Sequence, residues 1–190
     1  MKKLVWAALL AAGLPVIHGC AAIVVGGAAT GVMMADDRRK AGVYLEDEEI
    51  ELRAMDRLRG HFPEKTVSVS VTSFNHQVLL TGQVPDQETK TRVQEVIRVI
   101  PNVAKVYDET TVSGVTSLTS ETNDVSITTK VKARLVQSNK VSSNHVKVVT
   151  EASIVYLMGL VTREEGEEAA QIAASTKGVT RVVKVFEYLD

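Results

Sequence analysis

The chain has 190 residues, 45% hydrophobic and 24% charged, with a formal net charge of −1. That length accommodates one large domain or two small ones, and a charge so near zero excludes a general affinity for nucleic-acid phosphates. Aromatic residues make up only 4%, so any core has to be built from Val, Ile, Leu and Ala, and the single cysteine excludes an internal disulfide.

Met1-Lys2-Lys3 is a short basic start, and Leu4 to Ile17 is a mostly apolar run. The run has the length of a signal peptide and is too short to span a bilayer comfortably. It ends at Ile17-His18-Gly19-Cys20, an apolar residue, a variable one, a small one and then Cys. This resembles the lipobox of bacterial lipoproteins, with His18 an unusual occupant of the variable position. The resemblance implies that residues 1–19 are a lipoprotein signal peptide cut before Cys20. It also implies that the Cys20 thiol carries diacylglycerol and that the new amine carries an acyl chain such as palmitate. Each buried CH₂ contributes about 0.8 kcal/mol, so several chains make a durable anchor. Loss of Lys2 and Lys3 leaves 20 basic against 23 acidic residues, a net of −3. Ala21 stands where an Asp holds many Gram-negative lipoproteins at the inner membrane, which by that family rule implies the outer membrane, facing the periplasm.

Residues 20–45 read as the lipidated cysteine and a small-residue linker. Ala21 to Ala35 is apolar and rich in Gly and Ala, too short and too glycine-rich for a second membrane span. Asp36-Asp37-Arg38-Arg39-Lys40 ends it abruptly.

Beyond this point the chain repeats itself. Val78-Leu79-Leu80-Thr81-Gly82-Gln83-Val84 matches Val155-Tyr156-Leu157-Met158-Gly159-Leu160-Val161 at an offset of 77. The same offset carries Val69 and Val71 onto Val146 and Val148, and Ile50, Ala54, Arg57 and Leu58 onto Ile127, Val131, Arg134 and Leu135. After Pro101 the offset becomes 76, and Val103 and Val106 meet Val179 and Val182. A register held over about 65 residues with one slip is the signature of a duplicated unit.

The first copy begins with a helix over 47–60, with Ile50, Ala54 and Leu58 at helical spacing. A strand over 66–74 follows, then a turn at Asn75-His76 and a strand over 78–84 that Gly82 is expected to break. Asp86 is the expected N-cap of a helix running through Ile100, with Val93, Val96, Ile97 and Ile100 inward. A strand over 103–112 completes the unit. Residues 113–123 are a Ser/Thr-rich connector. The second copy repeats the order, with a helix over 124–138, strands over 145–151 and 153–161, a helix over 163–176 and a strand over 179–188. The fold class is therefore α+β, each copy αββαβ, with two helices on one face of a three-stranded mixed sheet.

The pattern resembles the BON domain, and the arrangement resembles the dual BON-domain outer-membrane lipoproteins, the DolP-like group. The residues carrying this resemblance are Asn123-Asp124, Ile127 to Lys132, Val146-Lys147-Val148 and Val155 to Thr162. Domains are placed at 46–114 and 124–190, with the connector at 115–123. The resemblance implies a non-enzymatic protein that supports envelope integrity, with some members at the division site. It also implies binding of anionic phospholipid through the first helix of the second domain. The residues it brings into that site are Val125, Ser126, Thr128, Thr129, Lys132, Ala133 and Val136. Related proteins can place a bulky aromatic where this chain has Ser126, so binding here is weaker or rests more on charge.

The residues support such a surface independently. Residues 46–60 carry six acids and three bases, whereas 124–140 carry Asp124 against Lys130, Lys132, Arg134 and Lys140, so one helix is −3 and its counterpart +3. Near an anionic surface each basic residue contributes about 1 kcal/mol. At about 100° per residue, Ile127, Val131 and Leu135 form the core stripe, and Val125, Thr129, Lys132 and Val136 lie opposite. A face with two valines and a lysine between them suits an interface, the lysine reaching up to phosphates. The alternative is that Val125 and Val136, like Leu52 and Met55 on the equivalent face of the first helix, mark a domain–domain contact.

Of the four histidines, His18 leaves with the signal, and His61, His76 and His145 have no metal-ligand spacing. His76 and His145 are expected to be solvated at strand edges. Glu164-Glu165 and Glu167-Glu168 read as a solvated helix face. No nucleophile elbow or phosphate loop is present. The expectation is no catalytic residue, no metal, no nucleic-acid partner and no cofactor beyond the lipid on Cys20. A second function class remains open, a protein-interaction or chaperone-like factor in outer-membrane assembly or stress response, its basic helix contacting an acidic envelope protein.

Overall fold

In the computed structural model, residues 37–63, 66–113 and 121–189 are described. The segment read as a signal peptide, Cys20, the residues read as linker up to Asp36 and most of those read as connector lie outside the described residues.

Helix α1 (Ala41–His61) leads into strands β1 (Ser68–Phe74) and β2 (Gln77–Val84). Helix α2 (Gln87–Arg98) is capped by the Asp86 side chain, which accepts from the Thr89 amide. Strands β3 (Lys105–Asp108) and β4 (Thr111–Val112) complete the first repeat. In the second, α3 (Glu121–Gln137) is followed by β5 (Val146–Glu151) and β6 (Ile154–Val161). Helix α4 (Arg163–Ala174) is closed by a capping box between Thr162 and Glu165, and β7 (Arg181–Tyr188) ends the fold. In both sheets the second strand is central, antiparallel to the first and parallel to the last.

Four details depart from the sequence expectation. Helix α1 starts at Ala41, inside the segment read as linker, because the Lys40 carbonyl already accepts from the Val43 and Tyr44 amides. Helix α3 starts at Glu121, inside the segment read as connector. Gly82 does not break β2. It has φ +109° and brings β2 against β1 so closely that a Cβ would fall on the Ser68 carbonyl oxygen. The last strand of the first repeat is interrupted at 109–110, where Asp108 turns back to accept from the Thr110 amide and hydroxyl.

Each sheet buries one face under its own two helices. Val78, Leu80 and Val84 pack with Ile50, Ala54, Leu58, Val93 and Ile97, and Val155, Leu157 and Val161 pack with Ile127, Val131, Leu135, Ala169 and Ala173. The opposite faces of the two sheets meet each other. Phe74, Leu79 and Tyr107 of the first repeat pack with Tyr156, Met158, Leu160, Val183 and Val185 of the second. The layers therefore run helix, sheet, sheet, helix, a stacking that buries both apolar sheet faces. Polar pairs border this seam: Lys147 with Glu51 at 2.9 Å, and Glu187 accepting from Asn75 and Gln77 at 2.8 and 3.0 Å.

Candidate functional site

Each hairpin turn has two non-glycine residues in the left-handed region, Asn75 and His76 at φ 50° and 63°, and Ala152 and Ser153 at the same angles. Such a turn twists with its strands but strains ordinary residues. In both repeats a buried aspartate of the first helix restrains it. Asp47 accepts from the Asn75 and His76 amides at 2.8 and 2.9 Å, and Asp124 accepts from the Ala152 and Ser153 amides at 2.8 Å each. The offset of 77 carries every one of these residues onto its counterpart. Arg57 and Arg134 match in the same way, donating to the carbonyls of Val96 and Ile172. The sequence reading missed this anchoring role of the aspartates, although the repeat register contained it.

These bonds fix which side of α3 faces outward. Ile127 and Val131 are fully buried and Leu135 nearly so. Val125 and Val136 are 64% and 68% exposed, and Thr129, Lys132 and Ala133 are exposed with them. Ser126 and Thr128 are half-buried on the flanks, the Thr128 hydroxyl held at 2.7 Å from that of Thr150. Five of the seven expected site residues thus share one outer surface, and two border it. Leu52 and Met55 are 59% and 40% exposed on the matching face of α1. The apolar domain–domain contact is accordingly made by the sheets, with Glu51 of α1 joining it at the border through Lys147, and Val125, Val136, Leu52 and Met55 take no part in it because they lie on the sides of their helices away from the sheets.

The charges sharpen likewise. Asp124 is buried under the turn, Arg134 donates to Ile172, Ser175 and Thr176, and Lys140 pairs with Glu168. Lys130 and Lys132 are exposed, and among the described residues neither has an ion-pair partner in the structure. At about 100° per residue they stand on either side of the Val125–Thr129–Ala133–Val136 stripe.

Two further expectations are corrected. His145 is buried, not solvated, because it closes a short 3-10 turn (Ser143–His145) whose last carbonyl lies against Gly159 of β6, and its Nδ1 lies 3.6 Å from Glu165. His76 is half-buried and meets Glu46 at 2.6 Å. Glu165 is also no solvated carboxylate. It takes a bidentate ion pair from Arg38 at 2.6 and 2.8 Å, while Arg38 also donates to the Leu160 carbonyl. Burial acts to raise the Glu165 pKa, but the bonds from Arg38 and the Thr162 amide, with the Arg38 charge, outweigh it and hold the value at about 2.

The next residue, Arg39, reaches the other repeat. It pairs with Asp47 at 2.9 Å and lies over the Phe74 ring at 4.1 Å. Asp37 joins it at 2.7 Å. Burial raises the Asp37 carboxyl, but the hydrogen bonds and charge of Arg39 win, so its pKa falls below the ordinary value. The segment taken for the end of a linker is therefore a strap, with Arg38 on the second repeat and Arg39 on the first.

Two αββαβ units joined back to back through their sheets, each with a helix pair outermost, define a tandem α+β scaffold that presents two unlike helical faces. The chain belongs to the BON-domain family, whose model matches residues 46–114 and 123–190. It is similar along its whole length to the outer membrane lipoprotein DolP of Haemophilus influenzae, 35% identical over 100% of this chain and 97% of that protein. It is also similar to the 21 kDa hemolysin of Actinobacillus pleuropneumoniae, 29% identical over 81% of this chain and 80% of that protein. The osmotically-inducible protein Y of Escherichia coli is 29% identical over 75% of this chain and 73% of its own length.

Proposed function

We propose that this protein is a non-enzymatic outer-membrane lipoprotein, anchored through acyl chains on Cys20 and facing the periplasm. In this reading the outer face of α3 binds anionic phospholipid, and the protein supports envelope integrity, including at the division site. The lipid on Cys20 is its only non-protein group, and its partners are the membrane and envelope proteins, not metals or nucleic acid. The observation that carries this reading is the α3 surface itself, with Val125 and Val136 largely exposed and Lys130 and Lys132 flanking them. Valines enter the acyl boundary and lysine stems extend along it, leaving the ammonium groups at the phosphates. The name of the Haemophilus relative and the lipobox at Cys20 support the location.

The anchor makes a weak contact sufficient, because tethering raises the effective concentration of α3 at the membrane. The strap at residues 37–40 holds both domains where the tether enters the fold. The test uses acyl-free protein and vesicles containing anionic lipid. Lys132→Glu removes one attraction and adds one repulsion, together about 2 kcal/mol, or roughly thirtyfold in partitioning. Co-sedimentation at low salt equal to that of the unsubstituted protein would sink the proposal.

A further inference from the structure

The outer face of α1 is an unassigned apolar surface. Leu45, Leu52 and Met55 are 67%, 59% and 40% exposed, and none belongs to a core cluster among the described residues. At about 100° per residue Leu45 and Leu52 lie squarely away from the buried Ile50–Ala54–Leu58 stripe. Glu48 borders them on one side and Glu49 and Asp56 on the other, all three exposed. Glu49 pairs with Arg53 and Asp56 lies 3.8 Å from Arg59, whereas Glu48 has no ion-pair partner in the structure among the described residues.

This is the complement of α3. One helix shows an apolar stripe bordered by acids, the other an apolar stripe bordered by lysines, on the matched outer faces of the two repeats, though the residues at aligned positions differ. Leu52 corresponds to Thr129, Met55 to Lys132, Glu48 to Val125 and Arg59 to Val136. In one chain the two faces cannot meet, since two sheets lie between them. The uncharged segment Ala21 to Ala35 could cover leucines but offers nothing to the acids beside them. We propose that the outer face of α3 in one copy docks on the outer face of α1 in another.

The contact joins unlike surfaces, so each copy leaves one of each free and the association runs head to tail rather than closing as a two-fold pair. It occupies the same α3 face that the membrane reading uses, but it depends on that face being exposed and basic, not on its binding lipid. Anionic lipid and a neighbouring copy then compete for α3, and added anionic lipid disperses the assembly.

The test uses the full-length chain reconstituted in vesicles of zwitterionic phospholipid, so that no anionic lipid competes for α3; Cys20 is the only native cysteine. One version carries Leu52→Cys, and a co-expressed version carries Val125→Cys or Val136→Cys, so either relative direction of the helices is caught. Mild oxidation is expected to give a mixed adduct at twice the monomer mass, well above the adducts each version forms alone. Lys132→Glu in the Val125→Cys or Val136→Cys version reduces the adduct about tenfold by like-charge repulsion, and Glu48→Lys in the Leu52→Cys version restores it. Three results would each overturn the proposal: no mixed adduct above the single-version controls, Leu52→Cys self-adducts as abundant as mixed ones, or a mixed adduct indifferent to Lys132→Glu. Vesicle binding is read separately, so failure here leaves the lipid reading intact, and loss of vesicle binding leaves this contact testable.

Discussion

The two repeats share a scaffold and differ in what they show to the outside. Asp47 and Asp124 hold the same strained turn, Gly82 and Gly159 allow the same close approach of the first two strands, and Arg57 and Arg134 tie the same two helices together. The outer faces of α1 and α3 have diverged to opposite charge. The matched residues are those the fold cannot do without, and the divergent ones are free of the core. Substitutions at matched positions should therefore hurt both repeats through one mechanism, whereas substitutions on the outer faces should leave stability alone and change what binds.

The largest effect is expected at the aspartates. Asp124→Ala removes a buried carboxylate from two turn amides and should cost about 2–3 kcal/mol. Asp47 holds the corresponding amides and also the Ser73 hydroxyl and Arg39. Asp47→Ala leaves part of a buried ion pair uncompensated and should cost more, about 3–5 kcal/mol. Urea unfolding of the two variants checks both values, and equal losses would mean that Arg39 contributes nothing through Asp47.

Next come the glycines. A Cβ at Gly82 would fall on the Ser68 carbonyl and one at Gly159 on the His145 carbonyl. Only Gly82 adds a positive φ. Gly82→Ala should therefore cost about 3 kcal/mol, and Gly159→Ala less, since crowding alone remains. The reverse order in thermal melts would show that crowding, not backbone conformation, decides the cost.

The repeat made most of this fold legible from sequence. Periodicity picked out Ile127, Val131 and Leu135 as core, and all three are buried. It also placed Val125 and Val136 outward, but periodicity marks only the side away from a helix's own sheet. It cannot say whether another domain covers that side, and the sheet-to-sheet seam decided that question. Residues 37–40 were illegible for a different reason. The ion pair that ties them to the second repeat joins positions 127 residues apart, Arg38 and Glu165, and no local pattern encodes such a pairing. His145 was misjudged because it closes a 3-10 turn against Gly159 of β6 and does not lie in a strand.

The smallest stability effect concerns the strap, and it separates the repeats most cleanly. Glu165 is carried by the offset of 77 onto Glu88, an exposed residue in the first turn of α2. Glu165 receives Arg38 and Glu88 has no such partner among the described residues, so Glu88→Gln should change nothing while Arg38→Ala should cost about 1–2 kcal/mol at neutral pH. The pH dependence follows from the depressed Glu165 carboxyl. Its pKa in the fold is about 2 against an ordinary 4.5, so its stabilisation is fully present above about pH 4.5 and is lost as pH falls from there towards 2. Asp37 is shifted in the same direction and adds to the loss. The gap in melting temperature between the unsubstituted protein and Arg38→Ala should stay level where Glu165 is ionised and narrow steadily in the acid window. A gap that persists at pH 2 would show that Arg38 acts through the Leu160 carbonyl and packing, with the carboxylate a bystander.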